Sequence, residues 1–346
     1  MRSSLTSSRG RWAIEGGYVE TPEGLIFTVK GLVHPPGRVV AYLRYMRDPS
    51  GDRVRGGVKY RRVYGFEEQE SIVKTCYPKY SYYDSNWDAE LQAVPLSDVV
   101  CTYSPDERLK GLFESRVGDK LEELAKGFAE ELSSTSGVDL GFMGVSGSLL
   151  LSLHHEGSDV DFMVYGRENC IKAQRAMRDL LDEAKSFKRL SEAQLKELYR
   201  SRSTETPMSY EFFAKQELRK VIQGVYRGCM YFIRFVKDLN EVEESYGERR
   251  TRGLGRAKVR ALVTDDSESI FTPCTYGVKC LEVLSGKVDA ERLLEVTSFR
   301  GRFAEQALRG EEVEVKGRLE EVHFRGRIYQ RLVVGSRGDY MVSLSL

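Results

Sequence analysis

Val145-Ser146-Gly147-Ser148, ten intervening residues, then Asp159-Val160-Asp161-Phe162: the reading of this 346-residue chain turns on that stretch. VDLGFMGV, just before it, reads as a buried strand, and SDVDFMVYG as a second one. Gly147 permits a tight turn after the first strand, and its missing side chain lets an anion approach the backbone. Ser148 stands where a helix begins, so its hydroxyl and the free N–H groups of the first turn suit phosphate oxygens. A helix over Leu149–His155 is expected to return the chain to the second strand. On that strand residues two apart share a face. Asp159 and Asp161 therefore point together while Val160 and Phe162 enter the core. Two carboxylates beside a phosphate cradle form a hard-oxygen site suited to Mg²⁺.

Working outward, GLIFTVKG, RVVAYLRYM and VKYRRVYGF are short, β-branched and aromatic, and separated by His34-Pro35-Pro36-Gly37 and Asp48-Pro49-Ser50-Gly51-Asp52. They predict a small antiparallel β unit. Ser104-Pro105 marks a helix start. A helix follows from about Gly118 to Leu132, with Leu121, Leu124, Phe128 and Leu132 on one face. After the second strand come helical segments near 168–186, 191–202 and 207–223. GCMYFIRFVKD and RAKVRALVT read as two more strands lying side by side, and TPCTYGVKCLEVLSG as a closing helix. EVEVKGRLEEV, RIYQRLVVGS and DYMVSL alternate like a β meander. The expected organisation is a flexible tail (1–14), a small β domain (15–76), a connecting segment (77–114), an α/β core (115–286) and a C-terminal β region (287–346).

Composition narrows the function classes. Lys+Arg (53) almost equals Asp+Glu (52), so no global field attracts nucleic acid, and such contacts need a local patch. An apolar fraction of 41%, with 15 Phe and 19 Tyr, supports real cores rather than global disorder. No segment approaches the roughly 18–20 apolar residues of a membrane span, and MRSSLTSSRGRW lacks the apolar run of a secretory signal. A cytoplasmic protein without membrane contact is expected. The six cysteines include no CxxC pair, which argues for reduced thiols and against a zinc site.

The turn, the spacer and the paired aspartates resemble the signature of the DNA polymerase beta superfamily of nucleotidyltransferases: apolar-Gly-[Gly/Ser], about ten residues, then Asp-apolar-[Asp/Glu]-apolar. The resemblance covers about residues 115–283, and the whole chain looks most like archaeal predicted nucleotidyltransferases. It implies an α+β protein with a central polymerase-beta-like nucleotidyltransferase α/β core, flanked by small, mostly antiparallel β regions. It further implies transfer of a nucleoside monophosphate from an NTP, ATP among them, to a hydroxyl acceptor, with release of pyrophosphate. Asp159 and Asp161 would hold two Mg²⁺ ions and be catalytic, while Gly147 and Ser148 would bind the nucleotide.

The sequence departs from the family at one point. The family brings a third carboxylate from a later strand, but Cys229–Val236 contains none, and Phe232 or Arg234 takes that place. Arg234 suits a phosphate. Asp238, Asp265 and Asp266 are the nearest acids, with Asp265 or Asp266 preferred as third metal ligand. The alternative is a non-catalytic nucleotide- or RNA-binding protein on the same fold that has lost this ligand. Residues 248–260, ERRTRGLGRAKVR, either grip a nucleic-acid backbone such as RNA or form a solvated hairpin connection. His154 and His155 are read as favouring a helix C-terminus. Lys215, Arg219 and Lys220 are read as surface ion pairs with Glu211 and Glu217.

Overall fold

The computed structural model describes residues 10–115 and 119–346, and the protein is α+β. It forms two compact units. One comprises Met1–Asp84, Glu90–Phe187 and Val225–Tyr246, the other Ser85–Ala89, Lys188–Gly224 and Gly247–Leu346.

The first unit opens with β1 (Tyr18–Glu20), β2 (Ile26–Val29), β3 (Arg38–Arg47), β4 (Arg53–Arg55) and β5 (Val58–Arg62), followed by α1 (Phe66–Cys76). β6 (Ser81–Asp84), β7 (Ala89–Pro95) and β8 (Cys101–Tyr103) come next. The order is β4-β5-β3-β2-β1-β8, with β7 pairing both β3 and β6. The sheet is therefore larger than the small β region expected from the sequence. Alternation along the strands buries two different faces. Val19, Phe27, Val29, Val39, Ala41 and Leu43 form one core, and Tyr18, Ile26, Tyr45 and Tyr60 join Leu150, Leu151 and Leu153 in another.

Next come α2 (Pro105–Glu114) and α3 (Lys120–Ser136), where Asp119 caps α3 by accepting the N–H groups of Leu121 and Glu122. Gly118, the expected start of that helix, lies outside the described residues. β9 (Met143–Val145), α4 (Gly147–Leu150) and β10 (Val160–Tyr165) lead into α5 (Arg167–Glu183). β11 (Phe187–Lys188), β12 (Gln223–Tyr226) and β13 (Cys229–Val236) follow, with α6 (Glu192–Ser203) and α7 (Tyr210–Arg219), which belong to the second unit, between β11 and β12. The central sheet runs β11-β12-β13-β10-β9, with β10 parallel to β13 and antiparallel to β9. Phe128 of α3 packs on Phe162 and Tyr231 on one face of that sheet, with ring centroids 4.7 and 5.2 Å apart.

The helix expected over Leu149–His155 shrinks to the four residues of α4. Ser152 takes a left-handed φ of 53° that ends it, and Leu149, Leu150, Leu151 and Leu153 are all buried instead of lining one stripe. The flexible tail also needs revision. Residues 1–9 lie outside the described residues, but Arg11 meets Asp238 at 2.7 Å and Asp106 at 3.2 Å, and Ile14 is fully buried.

The second unit is built on β14 (Arg249–Glu268), β15 (Cys274–Ser285), β16 (Leu293–Ser298), β17 (Glu312–Phe324), β18 (Arg327–Val333) and β19 (Tyr340–Ser343). The order is β14-β15-β16-β18-β17-β19. β14 also pairs with β17, which closes β14–β18 into a five-stranded barrel whose one parallel pair is β16–β18. Two expectations are corrected here. TPCTYGVKCLEVLSG forms strand, not helix: Cys274, Tyr276 and Val278 are buried at a spacing of two, and the β-branched and aromatic residues suit the pleat. RAKVRALVT lies in β14 between β15 and β17, whereas the neighbours of β13 are β10 and β12.

Candidate active site

Gly147 and Asp161 meet at the join between β9 and β10. Gly147 has a φ of 61°, in the left-handed region, and a Cβ there would collide with the Asp161 carboxylate. Glycine is thus required twice, by the turn and by the close approach. The Ser146 N–H donates to the Asp161 carbonyl (2.8 Å), and the Ser146 hydroxyl donates to the Gly16 carbonyl (2.7 Å), which ties the turn to the N-terminal segment. Ser148 is buried at the start of α4.

Asp161 lies opposite Phe232 in the parallel register, and Met163 opposite Arg234. Alternation puts Asp161, Phe232 and Arg234 on one face of the sheet. The Arg234 guanidinium donates to Asp161 Oδ1 at 3.2 Å, with the two side chains 24% and 17% exposed. Asp159 stands just before β10. It keeps access to solvent, yet the protein mass around it and then the like charge of Asp161 push its carboxyl above the usual range, against the pull of Arg62 and Arg234. The charges of Arg62 and Arg234 act on both aspartates.

The three acids considered as a third ligand are all engaged. Burial would raise the Asp238 carboxyl, but the hydrogen bond and charge of Arg11 together with the Leu239 N–H outweigh it and hold it below the usual range. Asp265 and Asp266 belong to the second unit. Asp265 Oδ1 accepts the Ser267 N–H (2.9 Å), an Asx-type turn, and Asp266 Oδ2 accepts the Arg309 N–H (3.1 Å).

Another acidic group has a structural explanation. Asp119, Glu122 and His154 bring one ligand atom each within 4.8 Å of one another. Asp119 already caps α3 and meets His154 Nε2 at 2.6 Å, while Glu122 pairs with Arg108 at 2.5 Å. His154 therefore serves the cap of α3, not the end of its own helix.

The N-terminal sheet adds residues that sequence reasoning left without a role. Arg53 of β4 donates to the Leu153 carbonyl (3.2 Å) and to the Ser158 hydroxyl (3.3 Å), one residue before Asp159. Arg44 and Arg62 feel the charge of Asp161, and Lys30 feels both Arg44 and Arg234.

Comparison with known proteins gives one relative to report. The chain is 33% identical over 329 residues to a protein of Methanocaldococcus jannaschii described as "Uncharacterized protein MJ1086", covering 92% of this chain and 94% of that one. The chain belongs to its family. No family model matches, and no solved structure matches. No helix among the described residues is long and apolar enough to cross a membrane.

Proposed function

We propose that this protein is a metal-dependent nucleotidyltransferase on a polymerase-beta-like core. It transfers a nucleoside monophosphate from an NTP to a hydroxyl acceptor. The observation that carries the reading is the contact of the left-handed Gly147 turn with the Asp161 carboxylate, Asp159 standing two residues before it. Two carboxylates whose charges repel, beside a turn that lacks a Cβ, fit Mg²⁺. Asp159 and Asp161 would hold the metal, which supplies charge neutralisation for the attacking and leaving oxygens. The Gly147-Ser148 turn, packed against Asp161, would lie beside the bound phosphates, and Arg234 offsets charge on Asp161. The acceptor hydroxyl gives up its proton to solvent, its oxygen bonds to the α-phosphorus as the α–β P–O bond breaks, and pyrophosphate leaves.

A second reading has its own support. β13 carries Phe232 and Arg234 where a third carboxylate would stand, which favours a protein that binds nucleotide or RNA without turning it over. RNA is the acceptor or ligand that both readings favour. Within residues 248–260, Arg250, Arg252, Arg256 and Arg260 are exposed along β14 of a closed five-stranded barrel, an architecture that serves oligonucleotide binding elsewhere.

Titration calorimetry with Mg²⁺ and each NTP, joined to a pyrophosphate-release assay with total RNA, tests the proposal. Mg²⁺-dependent binding and release are expected, with both lost in Asp159→Asn/Asp161→Asn. Binding without release under any condition favours the second reading. Unchanged affinity in the double variant places the site elsewhere.

A further inference from the structure

β3 breaks its own alternation. Ile26 pairs with Tyr45 and Phe27 with Leu43, so Arg44 is an extra residue between two registers, a β-bulge. Normal alternation would keep Leu43 and Tyr45 on one face. Instead Leu43 packs with Phe27 and Val29, while Tyr45 packs with Tyr18, Tyr60, Leu150, Leu151 and Leu153. The bulge therefore turns Arg44 toward the same face as Tyr45, as bulges beside sites re-aim side chains. Arg62 lies directly opposite Tyr45 and shares that face. It is the face that packs on the leucines following the Gly147 turn, and Arg53 fastens it to Ser158 beside Asp159.

Both arginines are half-buried, and neither makes an ion pair among the described residues. Their guanidiniums stack on Tyr64, 5.1 and 4.1 Å from its ring centroid, and Arg62 Nε is buried without a hydrogen-bond partner. Burial and then the neighbouring Arg62 charge hold Arg44 below its ordinary value. The surroundings thus disfavour the charge of Arg44, whereas the nearby tyrosines and Asp161 favour that of Arg62, and a bound anion would offset the cost at Arg44. Lys30 pairs with Glu15 at 2.6 Å and Arg234 with Asp161 at 3.2 Å, the charges of Arg44 and Arg62 act on Asp161, and those of Arg62 and Arg234 act on Asp159. Four cations against three carboxylates nearly balance. A divalent metal on the aspartates would leave an excess of positive charge, matched to a multiply charged anion.

We propose that Arg44 and Arg62 grip the polyphosphate tail of the bound nucleoside triphosphate, so that the N-terminal sheet forms a second wall of the nucleotide site. The inference rests on the nucleotidyltransferase reading for the identity of the ligand. Guanidiniums suit phosphate because their planar forks donate two hydrogen bonds at once. In that arrangement the α-phosphate would be left to the metal on Asp159 and Asp161. The arginines act on the part of the substrate that an NTP has and an NMP lacks.

The test uses the full chain and the variants Arg44→Gln, Arg62→Gln, the double, and Arg44→Lys/Arg62→Lys. Thermal melts confirm that each is folded. The probes are tripolyphosphate and inorganic phosphate without metal, then ATP and AMP with Mg²⁺. The expected result is a loss of at least tenfold in tripolyphosphate and MgATP affinity in the double Gln variant, with AMP affinity unchanged and partial recovery in the Lys variant. Asp159→Asn/Asp161→Asn keeps the metal-free tripolyphosphate binding. A folded double Gln variant that binds tripolyphosphate like the parent overturns the proposal, as does a parent that binds inorganic phosphate as tightly as tripolyphosphate. Tripolyphosphate binding through Arg44 and Arg62, without Mg²⁺-dependent NTP binding, keeps the grip and removes the nucleotidyltransferase reading.

Discussion

Asp159 has its carboxyl held above the usual range by the surrounding protein and by Asp161. At neutral pH the folded state therefore carries a charge it disfavours. The sign follows from linkage: a folded-state value above the unfolded one makes stability fall as pH rises through it. Asp159→Asn is expected to raise the melting temperature at pH 7. The gain should shrink as pH drops and vanish below the ordinary carboxylate range, as read by melts from pH 3 to 8. A variant less stable than the parent at pH 7 would show that Asp159 is instead held by its neighbours. At this scale part of the site is legible in the sequence. The Asp-x-Asp spacing brings Asp159 under the charge of Asp161, although Asp159 stands just before β10, and a glycine at a strand end announces a close approach. Arg44 and Arg62 are not legible, because only the register reveals the bulge that aims Arg44.

Helix α7 and the turn after it carry a buried charge network in the second unit. The Glu217 carboxylate accepts from Arg202 (2.9 Å), Lys220 (2.7 Å) and Gln223, and Lys220 donates also to the Arg302 carbonyl (2.6 Å) and to Gln306 (2.7 Å). The surface pairing expected for Lys220 is thus corrected to an interior one, whereas Lys215 and Glu211 do pair at the surface, at 3.1 Å. Burial alone would raise the Glu217 carboxyl, but Lys220 and Arg202 outweigh it and hold it low. Its stabilisation is present above the unfolded carboxylate value and is lost on acidification. Glu217→Leu strands buried cations and is expected to cost about 3–5 kcal/mol in urea unfolding at pH 7. Lys220→Met is expected to cost far less, since Glu217 keeps Arg202 and Gln223. Equal costs would disprove the central role given to Glu217. Helices α5, α6 and α7 are legible, with Ser191 and Ser209 at the starts of the last two, but the segment expected to run to 223 ends at Arg219 and Gln223 already opens β12. β15 is not, because a short apolar run with few breakers fits either period.

Six free thiols are distributed over the whole molecule, and their burial differs sharply. Cys76 and Cys101 are exposed, Cys229 and Cys280 intermediate, and Cys170 and Cys274 buried. Burial pushes the Cys274 thiol up to about 12 and raises Cys170 further. Iodoacetamide at neutral pH should label Cys76 and Cys101 first, with Cys170 and Cys274 modified only on unfolding, as peptide mass spectrometry would read. Early modification of Cys274 would contradict the closed barrel around it. The barrel itself is hidden from local reading. The meander of its last strands shows in the alternation, but their closure onto β14 pairs residues about sixty positions apart.

The chain visits the second unit three times, at Ser85–Ala89, Lys188–Gly224 and Gly247–Leu346, and returns to the first in between. Synthesis from the N-terminus therefore delivers α6 and α7 well before Arg302 and Gln306, the later partners of Lys220. The first unit in turn lacks β13, and with it Arg234, until Val236 has emerged. Neither unit is finished when its first segment leaves the ribosome, so folding is delayed toward the end of translation. For the same reason, cutting the gene after Tyr246 does not isolate a domain. It leaves the network of α7 without Arg302 and Gln306, and a fragment of that kind should aggregate.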